Sequence, residues 1–145
     1  MRVMVMIEGA GADEDKITPT TEMFEQMNAY NEELVKAGVM VGGDGLRPSS
    51  NGARVVFDAG ETSVVDGPFT ESKEVIAGYW LWQVKSLEEA VEWAKRCPSD
   101  AQYGRQVLEI RPLFEEEDFG DALTPELKEK ERALADQIEA QHGHP

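Results

Sequence analysis

Two short segments, residues 2–7 and 76–84, are largely apolar on both of the faces a strand would present, and this constrains the fold more than any other feature of the chain. Successive side chains of a strand point to opposite sides of its sheet. Val3, Val5 and Ile7 therefore fall on one side and Met4 and Met6 on the other, while Tyr79, Leu81 and Gln83 oppose Trp80, Trp82 and Val84. A sheet built from such strands needs cover on both sides. Helices are scarce before residue 114. The spacing of Phe24, Met27, Tyr30, Leu34 and Val35, opened by Thr18-Pro19 and closed by Gly38, predicts one. Ser86-Leu87-Glu88-Glu89 reads as a capping box, and the stripe Leu87, Ala90, Val91 and Ala94 predicts a second helix ending before Pro98. Two helices cover one face only. The most economical cover for the other is the same face of another copy, so a homodimer is expected.

The remaining signals complete the order. Val39-Met40-Val41 reads as a strand running into Gly42-Gly43-Asp44-Gly45-Leu46, where the glycines predict a bulge or a close backbone approach. Ala53 to Phe57 and Thr62 to Val65 flank Asp58-Ala59-Gly60-Glu61 as a hairpin, and Gln106 to Leu113 supplies a last strand. Strand, helix, strand, hairpin, strand, helix, strand is an α+β order that reduces to a ferredoxin-like βαββαβ plan with an extra β-hairpin. Past Phe114 the character changes, from Glu115-Glu116-Glu117-Asp118 to a second threonine-proline start at Thr124-Pro125 and a charged helix to about Gln141. Leu127, Leu134 and Ile138 give that helix only a thin apolar stripe, and such a helix is marginal alone. The expected division is a domain over residues 1–114 and an acidic C-terminal extension over 115–145, with no internal repeat.

Composition narrows the function mainly by exclusion. The formal charge of −15, with 10 acids and 3 bases in residues 115–145, leaves no Lys/Arg cluster for a phosphate backbone, so no nucleic-acid partner is expected. The apolar N-terminal run is too short for a membrane span, and a lone cysteine, Cys97, fits a small core residue in a reducing, cytoplasmic setting. With no histidine before His142, Ser-His-Asp and Cys-His catalysis is closed to the domain. The acidic runs lack calcium-loop spacing, two tail histidines are too few for zinc, and Gly42-Gly43-Asp44-Gly45 matches neither a P-loop nor a dinucleotide fingerprint. No metal and no cofactor are expected.

Several ordered motifs resemble one family. Tyr30-Asn31-Glu32-Glu33-Leu34, Ala37-Gly38-Val39, Gly43-Asp44-Gly45-Leu46, Asp66-Gly67-Pro68-Phe69, Glu71-Ser72-Lys73-Glu74, Gly78-Tyr79-Trp80 and Glu92-Trp93-Ala94 together are similar to the YCII-related family, in its DGPF-domain branch. The resemblance runs to about residue 114 and continues in Glu117-Asp118-Phe119-Gly120 and Leu123-Thr124-Pro125-Glu126-Leu127. It implies a dimeric α+β barrel. Some YCII-like relatives are lyases or dehalogenases acting on hydroxylated aromatic rings, and DGPF genes often neighbour those of extracytoplasmic-function sigma factors. The His–Asp pair of the YCII pattern is missing here, and Asp44 stands where the branch usually has glutamate.

What survives is a set of polar residues near the expected barrel mouth. Asp66, Lys73 and Asp44 are the candidate catalytic groups, for carboxylate acid/base chemistry of a lyase or isomerase type if they converge. Arg47, Tyr79 and Phe69 are the candidates for holding a small polar or aromatic ligand. Each has a plainer reading: Asp66-Gly67-Pro68-Phe69 as a turn with a core plug, Lys73 as a surface ion pair with Glu71 or Glu74, and Tyr79 as packing. Two functions follow, a cofactor-free enzyme or binding protein for a small molecule, and a non-catalytic accessory whose acidic tail meets a basic partner.

Overall fold

The computed structural model describes residues 1–9, 18–69, 75–100 and 104–143. Among the described residues six strands and three α-helices follow the expected order: β1 (Arg2–Glu8), α1 (Thr21–Lys36), β2 (Met40–Gly45), β3 (Ala53–Asp58), β4 (Glu61–Asp66), β5 (Ile76–Gln83), α2 (Leu87–Lys95), β6 (Val107–Pro112) and α3 (Pro125–His142). Four strands form one antiparallel sheet in the order β2-β5-β1-β6, and β3 and β4 pair separately as a two-stranded ribbon. The fold is mixed α+β. The sheet is open, with β2 and β6 as its edges among the described residues, so no closed barrel exists within the chain.

Register explains the two apolar faces. Val3 lies opposite Trp82, and Val5 opposite Trp80 on one side and Ile110 on the other. These residues meet Tyr30 and Leu34 of α1 and Ala90 of α2, so both helices lie on the tryptophan side. Val3, Val5, Leu34 and Trp82 are fully buried there. The Tyr30 ring meets Trp80 edge-on at 5.8 Å, and the Trp80 indole N–H donates to Asn31 Oδ1 at 2.9 Å. The indole N–H of Trp82 has no acceptor among the described residues. Met4, Met6, Tyr79 and Leu81 occupy the opposite side, only half-buried.

Helix α1 starts later than the Thr18-Pro19 signal suggests. Thr20 is the cap, held in extended conformation with its hydroxyl accepting from Met23 N at 3.2 Å. Its C-terminus follows the glycine rule: Gly38 sits at φ +72°, Gly38 N–H donates to Val35 O and Val39 N–H to Leu34 O, the paired bonds of a Schellman end. The buried stripe is narrower than the spacing implies, because Phe24 is 60% and Val35 62% exposed. In α2 the stripe is rotated. Ala90 is buried, Trp93 and Ala94 pack against the core with Cys97 just past the helix end, and Leu87 and Val91 face outward. The capping box there is half formed: Ser86 Oγ accepts from Glu89 N, and the Glu89 carboxylate accepts from Lys85 N instead of Ser86 N.

The acidic run after Phe114 is more than a solvated face. Glu115 and Asp118 form a reciprocal capping box that opens two 3₁₀ turns over Glu116–Ala122, joined by a kink at Gly120, and the Phe119 ring lies 5.0 Å from Phe114. Glu115 pairs with Arg2 at 3.4 Å and Glu116 with Arg132 of α3 at 3.2 Å. Thr124 then caps α3 with Pro125 in its first turn, as the sequence predicts. No residue of α3 is buried, and no described helix is long and apolar enough to cross a membrane.

Candidate functional site

The Asp66-Gly67-Pro68-Phe69 turn is built as a clamp on the β2–β3 connection. Pro48 leads into a 3₁₀ turn over Ser49–Asn51, in which Asn51 N–H donates to Pro48 O and Gly52 N–H to Ser49 O. Gly67 N–H donates to Gly52 O at 3.0 Å, and Phe69 N–H donates to Ser49 Oγ at 2.9 Å. A side chain on Gly67 would put its Cβ 1.7 Å from the Ser49 carbonyl oxygen, so only glycine fits. The Gly67–Pro68 peptide is cis. Ser49 is 8% exposed, a buried hydroxyl used to hold the motif's backbone. The run Pro48-Ser49-Ser50-Asn51-Gly52 is dense in turn formers, a signal that could have located this partner from sequence.

Beside the clamp lies an open groove of about 530 Å³. Leu46, Pro48, Val75 and Ile76 give it apolar walls, and Arg47 and Arg54 give it positive charge. Among the described residues no carboxylate lines it, although the whole chain carries −15. The Arg54 guanidinium lies 3.9 Å from the centre of the Phe69 ring, a cation–π arrangement that fixes one wall. Arg54 escapes notice in the sequence, because only the hairpin register shows which side of β3 turns toward Phe69.

Of the six residues singled out from sequence, the groove gathers two, Arg47 and Phe69. Asp66 ends β4, exposed, on the ribbon face opposite Arg54. Asp44 pairs with Tyr79 across β2 and β5, on the sheet side away from the helices. The glycine before it is required: a Cβ on Gly43 would come 2.7 Å from the Tyr79 carbonyl oxygen and 2.9 Å from Trp80 Cδ1, and the ladder shifts register between Met40 and Gly42 as the glycines predict. Lys73 lies outside the described residues. Among the described residues no group of His, Cys, Asp or Glu side chains could hold a metal ion.

Two titrating groups sit away from the groove. Burial pushes the Cys97 thiol up to about 11, and the Tyr30 hydroxyl, which donates to Trp93 O at 2.7 Å, is pushed by burial well above the ordinary phenol range. Both behave as neutral packing groups, in line with the expectation for Cys97.

Comparison with known proteins agrees with the motif reading at family level. The model of the YCII-related domain matches residues 1–116. A protein of Rhizobium meliloti (strain 1021), itself described as uncharacterised, is 35% identical over 91 residues, which is 63% of this chain and 73% of that protein. With the matched region reaching from β1 past β6, the chain belongs to the YCII-related family.

Proposed function

We propose that the protein binds a small polar or aromatic molecule in the groove beside the Asp66-Gly67-Pro68-Phe69 turn, as a member of the family's DGPF branch acting in the cytoplasm. The observation that carries this reading is the lining: apolar walls, an aromatic ring at Phe69 and the Arg47 guanidinium, which has no ion-pair partner among the described residues. A concave, mostly apolar surface with a few convergent polar groups is the usual form of a small-molecule site. Binding suits this geometry better than turnover, because Asp44 and Asp66 stand outside the described lining. A thermal-shift screen of small carboxylates, phenols and neutral aromatics on the parent, Arg47→Met and Phe69→Ala proteins tests it. Ligands should stabilise the parent and lose their effect in both variants; a parent that no compound stabilises, or an Arg47→Met protein that responds like the parent, refutes the assignment.

The strand order β2-β5-β1-β6 supports a ferredoxin-like plan, and the half-buried row Met4, Met6, Tyr79 and Leu81 supports a second copy closing the open sheet side into a dimeric α+β barrel. Light scattering at micromolar concentration decides it, since a monomer there removes the dimer. The alternative role as an accessory to a basic protein partner draws on α3, which buries no residue and exposes Leu127, Leu134 and Ile138. Capture of one such partner by the full chain, lost on removing residues 115–145 and retained in Arg47→Met, would favour it.

A further inference from the structure

The β3–β4 ribbon is the least explained part of the fold. All twelve of its residues are exposed, and among the described residues the ribbon joins no other strand. Two-stranded hairpins are marginal in water without a packed face. The turn is nonetheless well made, with Ala59 at φ +49° and Gly60 at φ +82°, the two positive dihedrals a tight hairpin needs. The register divides the ribbon into two faces. Arg54, Val56, Asp58, Glu61, Ser63 and Val65 form one, turned toward the body at its base, where Arg54 lies over Phe69. Ala53, Val55, Phe57, Thr62, Val64 and Asp66 form the other, which faces away.

That outer face is the more exposed: Val55 is 56%, Val64 65% and Phe57 79% accessible, against 38% for Val56 and 47% for Val65. Contiguous apolar surface of this kind marks an interaction site. We propose that it packs on the same face of a second copy, arm against arm, about a two-fold axis lying across the ribbon at the Val55/Val64 pair. The proposal rests on the dimer read above and adds a contact outside its sheet.

The pattern of the face selects this occupant, because it is complementary to itself. A two-fold at the central pair reverses the partner's strands and sets β3 on β3 and β4 on β4. Val55 and Val64 then meet their own copies. Phe57, the largest side chain, falls on the partner's Ala53, the smallest, and Thr62 falls on the partner's Asp66, where its hydroxyl donates to the carboxylate. Asp66 is the face's only ionisable group and is thereby answered by a donor. Neither a nucleic acid nor an anionic membrane suits a face with no cation on a chain of charge −15. Six residues a side fall short of the roughly 20–30 of a standard interface, so the arms reinforce a dimer and do not carry it alone.

Exchange of the large and small positions tests the register. Residues 53 and 57 lie about 13 Å apart along one strand at about 3.3 Å per residue, too far to touch within an arm, so any coupling between them runs through the partner. Dimer dissociation is measured by analytical ultracentrifugation on the full chain. Phe57→Ala should raise the dissociation constant roughly ten-fold or more, as for other truncated aromatic anchors. Ala53→Phe should weaken the dimer by overpacking, and Ala53→Phe with Phe57→Ala should recover affinity toward the parent. A monomeric parent overturns the dimer itself and the arm contact with it. A dimeric parent whose affinity Phe57→Ala leaves unchanged, or a double variant as weak as the two single losses combined, overturns the arm contact and leaves the sheet-face dimer standing.

Discussion

Gly67→Ala asks whether the Asp66-Gly67-Pro68-Phe69 turn is architecture. The added Cβ would lie 1.7 Å from the Ser49 carbonyl oxygen, where real contacts stay at 3.0 Å or more, so the two turns must part by at least the difference, 1.3 Å. Backbone stands on both sides of the clash, and no side-chain rotation relieves it. A shift of that size stretches Gly67 N–H to Gly52 O from 3.0 Å and Phe69 N–H to Ser49 Oγ from 2.9 Å beyond hydrogen-bonding range. Each bond is worth about 1 kcal/mol net, and forced overpacking costs about 1–3 kcal/mol more. The expected loss is about 3–5 kcal/mol, a large share of the roughly 5–15 kcal/mol typical of a domain. Gly60→Ala is the control: a Cβ there meets nothing within 4 Å, and with φ at +82° it carries only the left-handed penalty of about 1–2 kcal/mol. Urea unfolding followed by tryptophan fluorescence gives both values, and amide exchange at Phe69 reports whether the clamp opens locally. The reasoning is refuted if Gly67→Ala loses no more than Gly60→Ala while the Phe69 amide stays protected.

Trp80→Phe should destabilise more than Trp82→Phe by about 1–2 kcal/mol in urea titrations, since the first strands Asn31 Oδ1 and the second removes an N–H that has no described acceptor. Equal losses would argue that the Trp80–Asn31 bond contributes nothing. Cys97 makes stability depend on alkaline pH. Its thiol rises from 9.0 to about 11 in the folded chain, so above pH 9 the unfolded chain sheds a proton that the folded one keeps. Stability should fall as pH rises from about 9 to 11, less so in Cys97→Ala, and alkylation of native Cys97 at pH 8 should be far slower than of the urea-unfolded thiol.

Most of the fold was legible because its signals are local and periodic. Gly38 with its positive φ, the alternation through Tyr79-Trp80-Leu81-Trp82 and the Thr124-Pro125 start each express a short-range rule that tertiary packing left intact. The burial of helix faces was less legible. Phe24, Val35, Leu87 and Val91 keep helical spacing and still face outward, because which arc of a helix meets a sheet depends on docking angle. The candidate site was legible only in part for a similar reason. Phe69 and Arg47 belong to neighbouring turns joined by Ser49, whereas Asp66 and Arg54 are split between ribbon faces by a register set at the Ala59-Gly60 turn. Residue type suggested a cluster of acids and bases; strand parity decided which of them could meet.

The position of β1 carries a consequence for how the chain comes to be folded. It lies between β5 and β6, so Met4 pairs with Leu81 on one side and with Arg111 on the other. Both partners are made long after it, and the helices that cover its valines cannot seal the core until they arrive. During synthesis β1 therefore waits as an apolar strand with two open edges while nearly the whole family domain emerges. Closure over such sequence distances is slow. The exposed interval is a demand on the cell's folding machinery, set by topology and independent of whatever the groove binds.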